Sequence, residues 1–146
     1  MPTAAPASKL DVTYALTRRL GRTPVAESIA RVKEALAAEG FGVLTEIDVQ
    51  ATLEKKLGVR GRPYVILGAC NPSLAHRALE QEPSLGVFLP CNVDVLEGED
   101  GATYVQAVRP TLLFSLVQSA GLRPIAEEVE ARLGRALAAL PVEADA

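Results

Sequence analysis

The sequence predicts an α+β fold, a mixed and mainly antiparallel sheet with long helices packed on one face. Three observations carry that prediction. Residues 25–36 and 125–140 repeat apolar side chains at the 3.6-residue period of an amphipathic helix. Cys91–Glu97 and residues 102–108 are separated only by Gly98-Glu99-Asp100-Gly101, a link short enough to make an antiparallel hairpin. The helical segments between the inner strands are short, whereas a doubly wound parallel sheet alternates its strands with full-length helices.

Residues 1–9, MPTAAPASK, hold little to bury and are expected to form a mobile tail ahead of one domain over residues 10–140. Val12, Tyr14 and Leu16 alternate, which predicts a first strand over residues 11–20. Thr23 is expected to cap a helix with Pro24 at its first position. That helix turns Val25, Ile29, Val32 and Leu36 inward and stops at Gly40. Residues 41–47 form a second strand. Asp48 then caps a short helix that carries Val49, Leu53 and Leu57 along one side and ends at Gly58. Residues 64–69 are a short, mostly apolar run suited to a buried strand. Asn71 and Pro72 open another short helix, as cap and first residue. Val87, Leu89, Cys91, Val93 and Val95 alternate strictly, the period of a strand with one buried face. Pro110 starts a helix through about Ser119, with Leu112, Leu113, Leu116 and Val117 inward. Gly121 breaks it, and Pro124 begins the last helix, with Ile125, Val129, Leu133, Ala136, Leu137 and Leu140 on one face. Its acids Glu127, Glu128 and Glu130 precede its bases Arg132 and Arg135, the order that the helix dipole favours. Pro141 ends it, and residues 141–146 are expected to fray.

At 146 residues the chain is long enough for one domain that removes roughly 70% of its unfolded surface from water. A hydrophobic content of 49% excludes a disordered chain, and with three Tyr, three Phe and no Trp the core must be aliphatic. The net charge of -3 offers no positive field for nucleic acid, so no nucleic-acid partner is expected. The N-terminus lacks the basic start and apolar centre of a signal peptide, and no apolar run reaches membrane-spanning length. A cytoplasmic protein is the expectation. Two cysteines are too few for a disulfide scaffold and match no zinc spacing. Neither GxxxxGK[ST] nor GxGxxG occurs. Neither a metal nor a cofactor is expected.

Chemistry concentrates at two cysteine–asparagine corners, Cys70-Asn71 and Cys91-Asn92. Cys70 ends a strand just ahead of a helix N-terminus, whose dipole and free amides stabilise a thiolate. Cys91 begins the next strand. Antiparallel neighbours would put both thiols at one end of the sheet, with Cα atoms within roughly 10 Å and near the ~7 Å limit for a disulfide. Two free thiols, not a bond, are expected in a reducing compartment. The alternative is that both are small apolar fillers, and Cys91 shares its apolar face with Val93 and Val95. Asn71 is explained by capping and Asn92 by turn hydrogen bonds, or the two line a polar ligand pocket. His76, the only histidine, sits four residues before Glu80 on a solvated helix face. Lys55, Lys56, Arg60 and Arg62 form a basic cluster, either a solvated face or a receiver for an anion.

The stretches YVILGACNP, Ala-His-Arg-Ala-Leu and LPCNVDV, with RPTLLF and IAEEVEARLGRAL further on, resemble the domain of unknown function 302 family. The similarity runs over about residues 11–140. It implies an α+β domain similar to the TATA-box-binding-protein-like architecture, and it implies no reaction, substrate or cofactor. Two functions from different classes remain. One is a binding or regulatory module, a homodimer, that holds a small ligand or a partner near Asn71, Asn92 and the cysteines. The other is a thiol-dependent redox protein or enzyme using Cys70 with Cys91, for which the chain supplies neither a C-x-x-C motif nor an evident base. The uncovered sheet face and the edges predict association of two copies.

Overall fold

The computed structural model describes residues 8–144. Five strands, β1 (Ala15–Gly21), β2 (Gly42–Asp48), β3 (Tyr64–Cys70), β4 (Cys91–Glu97) and β5 (Thr103–Val108), form one sheet in the order β1-β5-β4-β3-β2. Each neighbouring pair is antiparallel. The helices are α1 (Val25–Ala38), α2 (Val49–Leu57), α3 (Pro72–Gln81), α4 (Pro110–Leu113) and α5 (Leu122–Ala138), with 3-10 turns at Pro83–Phe88 and Phe114–Leu116. The α+β class with an antiparallel sheet is thus the observed one.

Strand alternation divides the sheet into two faces. Val65, Leu67 and Ala69 of β3, Cys91, Val93 and Val95 of β4, and Val105 and Ala107 of β5 join α1 and α5 in the main core. Val25, Val32 and Leu36 come from α1, and Leu122, Ile125, Val129, Leu133 and Leu137 from α5. Tyr64, Asp94, Tyr104 and Gln106 have the opposite phase. On that open face Leu96, Ala102 and Tyr104 make a second, smaller cluster, against which Leu10 and Tyr64 pack. The Gln106 amide donates to the Leu10 carbonyl and to Thr17 Oγ1, which ties the segment before β1 across the sheet.

Local chemistry explains several element ends. Asp48 accepts the Ala51 N–H at 2.8 Å and caps α2, which closes at Gly58 with φ 68°. Asp100 bends the β4–β5 turn, taking the Ala102 N–H at 3.0 Å and the Tyr104 hydroxyl at 2.7 Å.

Five expectations need correction. The first strand begins at Ala15, because the segment before it crosses the open face instead of pairing at an edge. Thr23 does not cap α1; the helix has no side-chain cap, and the buried Thr23 hydroxyl donates to Glu143 Oε2 at 2.8 Å. Val87 and Leu89 lie outside β4: Val87 sits in a 3-10 turn, 84% exposed, and a cis Leu89–Pro90 bond precedes the strand. Between Pro110 and Val117 the inward side is rotated, with Pro110 and Phe114 buried, Leu113 and Val117 packed against the core, and Leu112 and Leu116 in solvent. A four-residue helix that tightens into a 3-10 turn does not keep the 3.6-residue stripe. Helix α5 starts at Leu122, and Pro124 falls in its first turn, where a missing N–H costs nothing.

Of the residues expected to be tails, 1–7 and 145–146 lie outside the described residues. Lys9 pairs with Glu99 at the surface. Glu143 is held: its N–H donates to the Leu20 carbonyl at 2.8 Å, its carbonyl accepts the Arg22 N–H at 3.3 Å, and it forms a parallel bridge with Gly21. A Cβ on Gly21, at φ 85°, would collide with the Glu143 carbonyl oxygen, so this contact requires glycine.

Candidate functional site

The candidate site lies where β3 ends and β4 begins. Register places Cys91 opposite Ala69, so Cys70 and Cys91 are diagonal neighbours on adjacent antiparallel strands. With a strand spacing of ~4.8 Å and a rise of ~3.4 Å, their Cα atoms lie about 6 Å apart. Both thiols are free. Cys91 points to the helix-covered face with Ala69 and is 6% exposed, whereas Cys70 has the opposite phase and is half-buried at the strand end. Burial, and then the nearness of Cys70, push the Cys91 thiol up to about 11. It is therefore protonated at neutral pH, a poor nucleophile and a poor soft-metal ligand without a proton acceptor.

Asn71 caps α3. Its Oδ1 accepts the Leu74 N–H at 3.2 Å, and Pro72 takes the first helical position. Its Nδ2 donates to the Glu39 carbonyl at 3.4 Å, the group that also accepts from Arg132 Nη1 at 3.1 Å. One carbonyl at the end of α1 thus joins the start of α3 to the middle of α5. Gly40, at φ 87°, lets the chain pass beside the Asn71 amide, since a Cβ there would come within 2.9 Å of Nδ2. Asn92 stands apart from this group. It is exposed on the open face, opposite Gly68, so the two asparagines do not share a pocket wall.

The two cysteines do share one. A cavity of about 310 Å³ opens beneath α3, between the sheet end, the 3-10 turn at Pro83–Phe88 and α5. Cys70, Asn71 and Cys91 lie on its wall with Leu74, Ala78, Phe114, Ile125 and Val129. Its rim carries the exposed Leu44 and Leu79.

The family described as "Domain of unknown function DUF302" matches residues 16–140. The chain belongs to the DUF302 family. The crystal structure of an uncharacterized conserved DUF302 protein from Bacillus stearothermophilus is similar in fold, with a TM-score of 0.80 and 36% identity. That match covers 87% of this chain and 98% of the other. No curated protein matches the chain.

The other sequence candidates of this DUF302 domain lie on its surface. His76 meets Glu80 at 2.8 Å on the exposed side of α3. Lys55, Lys56, Arg60 and Arg62 are exposed, and Arg60 pairs with Glu54 at 3.3 Å. Among the described residues no cluster of three His, Cys, Asp or Glu could hold a metal. No helix among them is long and apolar enough to cross a membrane.

Sequence reasoning missed one polar pair. On the open face Tyr64 donates its hydroxyl to Asp94 Oδ2 at 3.0 Å, while Asp94 Oδ1 is buried without a partner. Burial raises the Asp94 carboxyl, opposed by the Tyr64 bond; burial and then Asp94 push Tyr64 up to about 12. An acid alternating with valines in LPCNVDV was the available signal. Its meeting with Tyr64, thirty residues earlier, depends on strand register. A second hollow of about 600 Å³ lies between α2 and this face, with Leu10, Val49, Leu53, Arg62, Tyr64 and Leu96 on its wall.

Proposed function

We propose that this DUF302 domain is a small-ligand-binding module whose site is the cavity beneath α3. The observation that carries this reading is the convergence of Cys70, Asn71 and Cys91 on the wall of one apolar cavity. Protein interiors hold few voids larger than a water molecule. A preformed apolar hollow with a few polar groups at one end is the usual form of a small-molecule site.

The thiol-dependent alternative has less support. A disulfide or thiolate couple between Cys70 and Cys91 needs two available thiols, and Cys91 is buried and held protonated. In the binding reading the protein works in the cytoplasm as a homodimer, with its thiols reduced. Both features are proposals that accompany the site.

Native mass spectrometry of the purified chain, paired with thiol titration, tests the reading. A bound small molecule, whose removal makes Cys70 react faster with a thiol reagent, is the expected result. An empty chain, in which Cys70 reacts at the same rate before and after extraction with solvent, would overturn it.

A further inference from the structure

We infer that the cavity beneath α3 takes the aliphatic part of an amphiphile, a chain of about ten heavy atoms, with the polar head left in solvent between Leu44 and Leu79. This rests on the binding-module reading and names its ligand class. Phe41, Leu74, Ala78, Phe114, Ile125 and Val129 present only hydrocarbon. The one side-chain amide on the wall, Asn71, is tied at each end, Oδ1 by the Leu74 N–H and one Nδ2 hydrogen by the Glu39 carbonyl. Cys70 and Cys91 offer free thiols, weak donors. A ligand polar atom carried inside would lose its water and find no strong partner, weakening binding by roughly ten-fold to a hundred-fold. The interior therefore selects against polar ligands and accepts methylenes.

Size and mouth give the rest. At ~30 Å³ per small group, a water's share of the liquid, about 310 Å³ holds about ten. The space exists because α3 places Ala75 and Ala78 toward the cavity, between Leu74 and Leu79, where larger side chains would fill it. Leu44 and Leu79 are exposed at the rim, the arrangement that lets a chain slide in without crossing a polar barrier.

The test is a chain-length series. The purified chain is titrated with 1-hexanol through 1-tetradecanol, read by displacement of an apolar fluorescent probe; the absence of Trp keeps the background low. Each added methylene is expected to tighten binding about four-fold. The gain should stop near ten heavy atoms, with one site per chain. Ala78→Leu and, as a second variant at a less buried position, Ala75→Leu should each weaken decanol binding at least ten-fold while circular dichroism stays unchanged. Decanoate and decylamine in place of the alcohol report which head the mouth prefers. An affinity that climbs without a break, or that both variants leave intact, would overturn the inference. Failure of every alcohol beside a co-purified polar ligand that still shields Cys70 would remove the aliphatic assignment alone. Failure of both would remove the binding module as well.

Discussion

Cys91 and Cys70 differ by the face to which each strand position points, and that difference is measurable. Cys70 is expected to react with an aromatic disulfide reagent in the native protein at pH 8, and Cys91 only after denaturant is added; equal native reactivity would contradict the packing of Cys91. The raised Cys91 thiol also has a stability consequence with a definite sign. Its unfolded value is 9.0 and its folded value about 11, so its contribution is present below pH 9 and is lost as pH rises toward 11. Unfolding curves of Cys91→Ala should therefore fall less steeply than wild type across that window. Asp94, raised by burial, has the same sign at acid pH. Relative to Asp94→Asn, the wild-type domain should gain stability as pH falls from neutral through the folded Asp94 value toward 3.8. A gap between the two proteins that stays constant from pH 7 to 4 would rule this out. Asn71→Ala removes a cap and a bond to Glu39, and about 1–2 kcal/mol is expected from thermal unfolding. At this scale the sequence showed the Asn71 cap and the pairing of His76 with Glu80, because both follow from spacing along one helix. It did not show Tyr64 against Asp94, or Thr23 against Glu143, because those partners come from elsewhere in the chain.

Helices α5 and α2 contrast at the level of the element. Both have an apolar stripe in the sequence, yet α5 buries Leu133 completely and α2 buries nothing, with Leu57 at 71% exposure. Leu133→Ala should cost about 2–5 kcal/mol, while Leu57→Ala should stay within about 0.5 kcal/mol. Chemical denaturation of the two variants checks this, and a large loss at Leu57 would mean that α2 is covered in solution. Periodicity identifies a helix and its apolar side, but not whether anything packs there. That is why the stripes of α1 and α5 were legible as core while that of α2 was not. The segment after Pro110 failed for a different reason. Over so few residues, a one-position rotation exchanges the inward set, and only Phe114 meeting the core decides between the two. The hairpin of β4 and β5 was legible because so short a turn favours pairing of the strands that it joins.

The order β1-β5-β4-β3-β2 leaves two edges, and the whole molecule treats them differently. Ile47 of β2 and, beyond it, Leu53, Leu57 and Val59 are exposed apolar side chains along one edge. The open face, by contrast, carries Asp94, Gln106, Thr17 and Arg19 among its apolar residues. Association of two copies is therefore expected through the β2 edge. Light scattering should give twice the monomer mass at high micromolar concentration, and Ile47→Lys should restore the monomer; a monomeric wild type at that concentration would end the idea. The position of the cavity was legible to the extent that Cys70 and Cys91 mark one end of the sheet. Its volume was not, since it depends on how far α3 stands from the strands. The Glu143 bridge bears on growth of the sheet. At the β1 edge Glu143 occupies the Leu20 carbonyl and the Arg22 N–H, groups that another strand would need. With one end of β1 obstructed, the β2 margin is the more open place for a second sheet. Two copies joined there would form a ten-stranded pair and leave only the partly obstructed β1 edges for further growth.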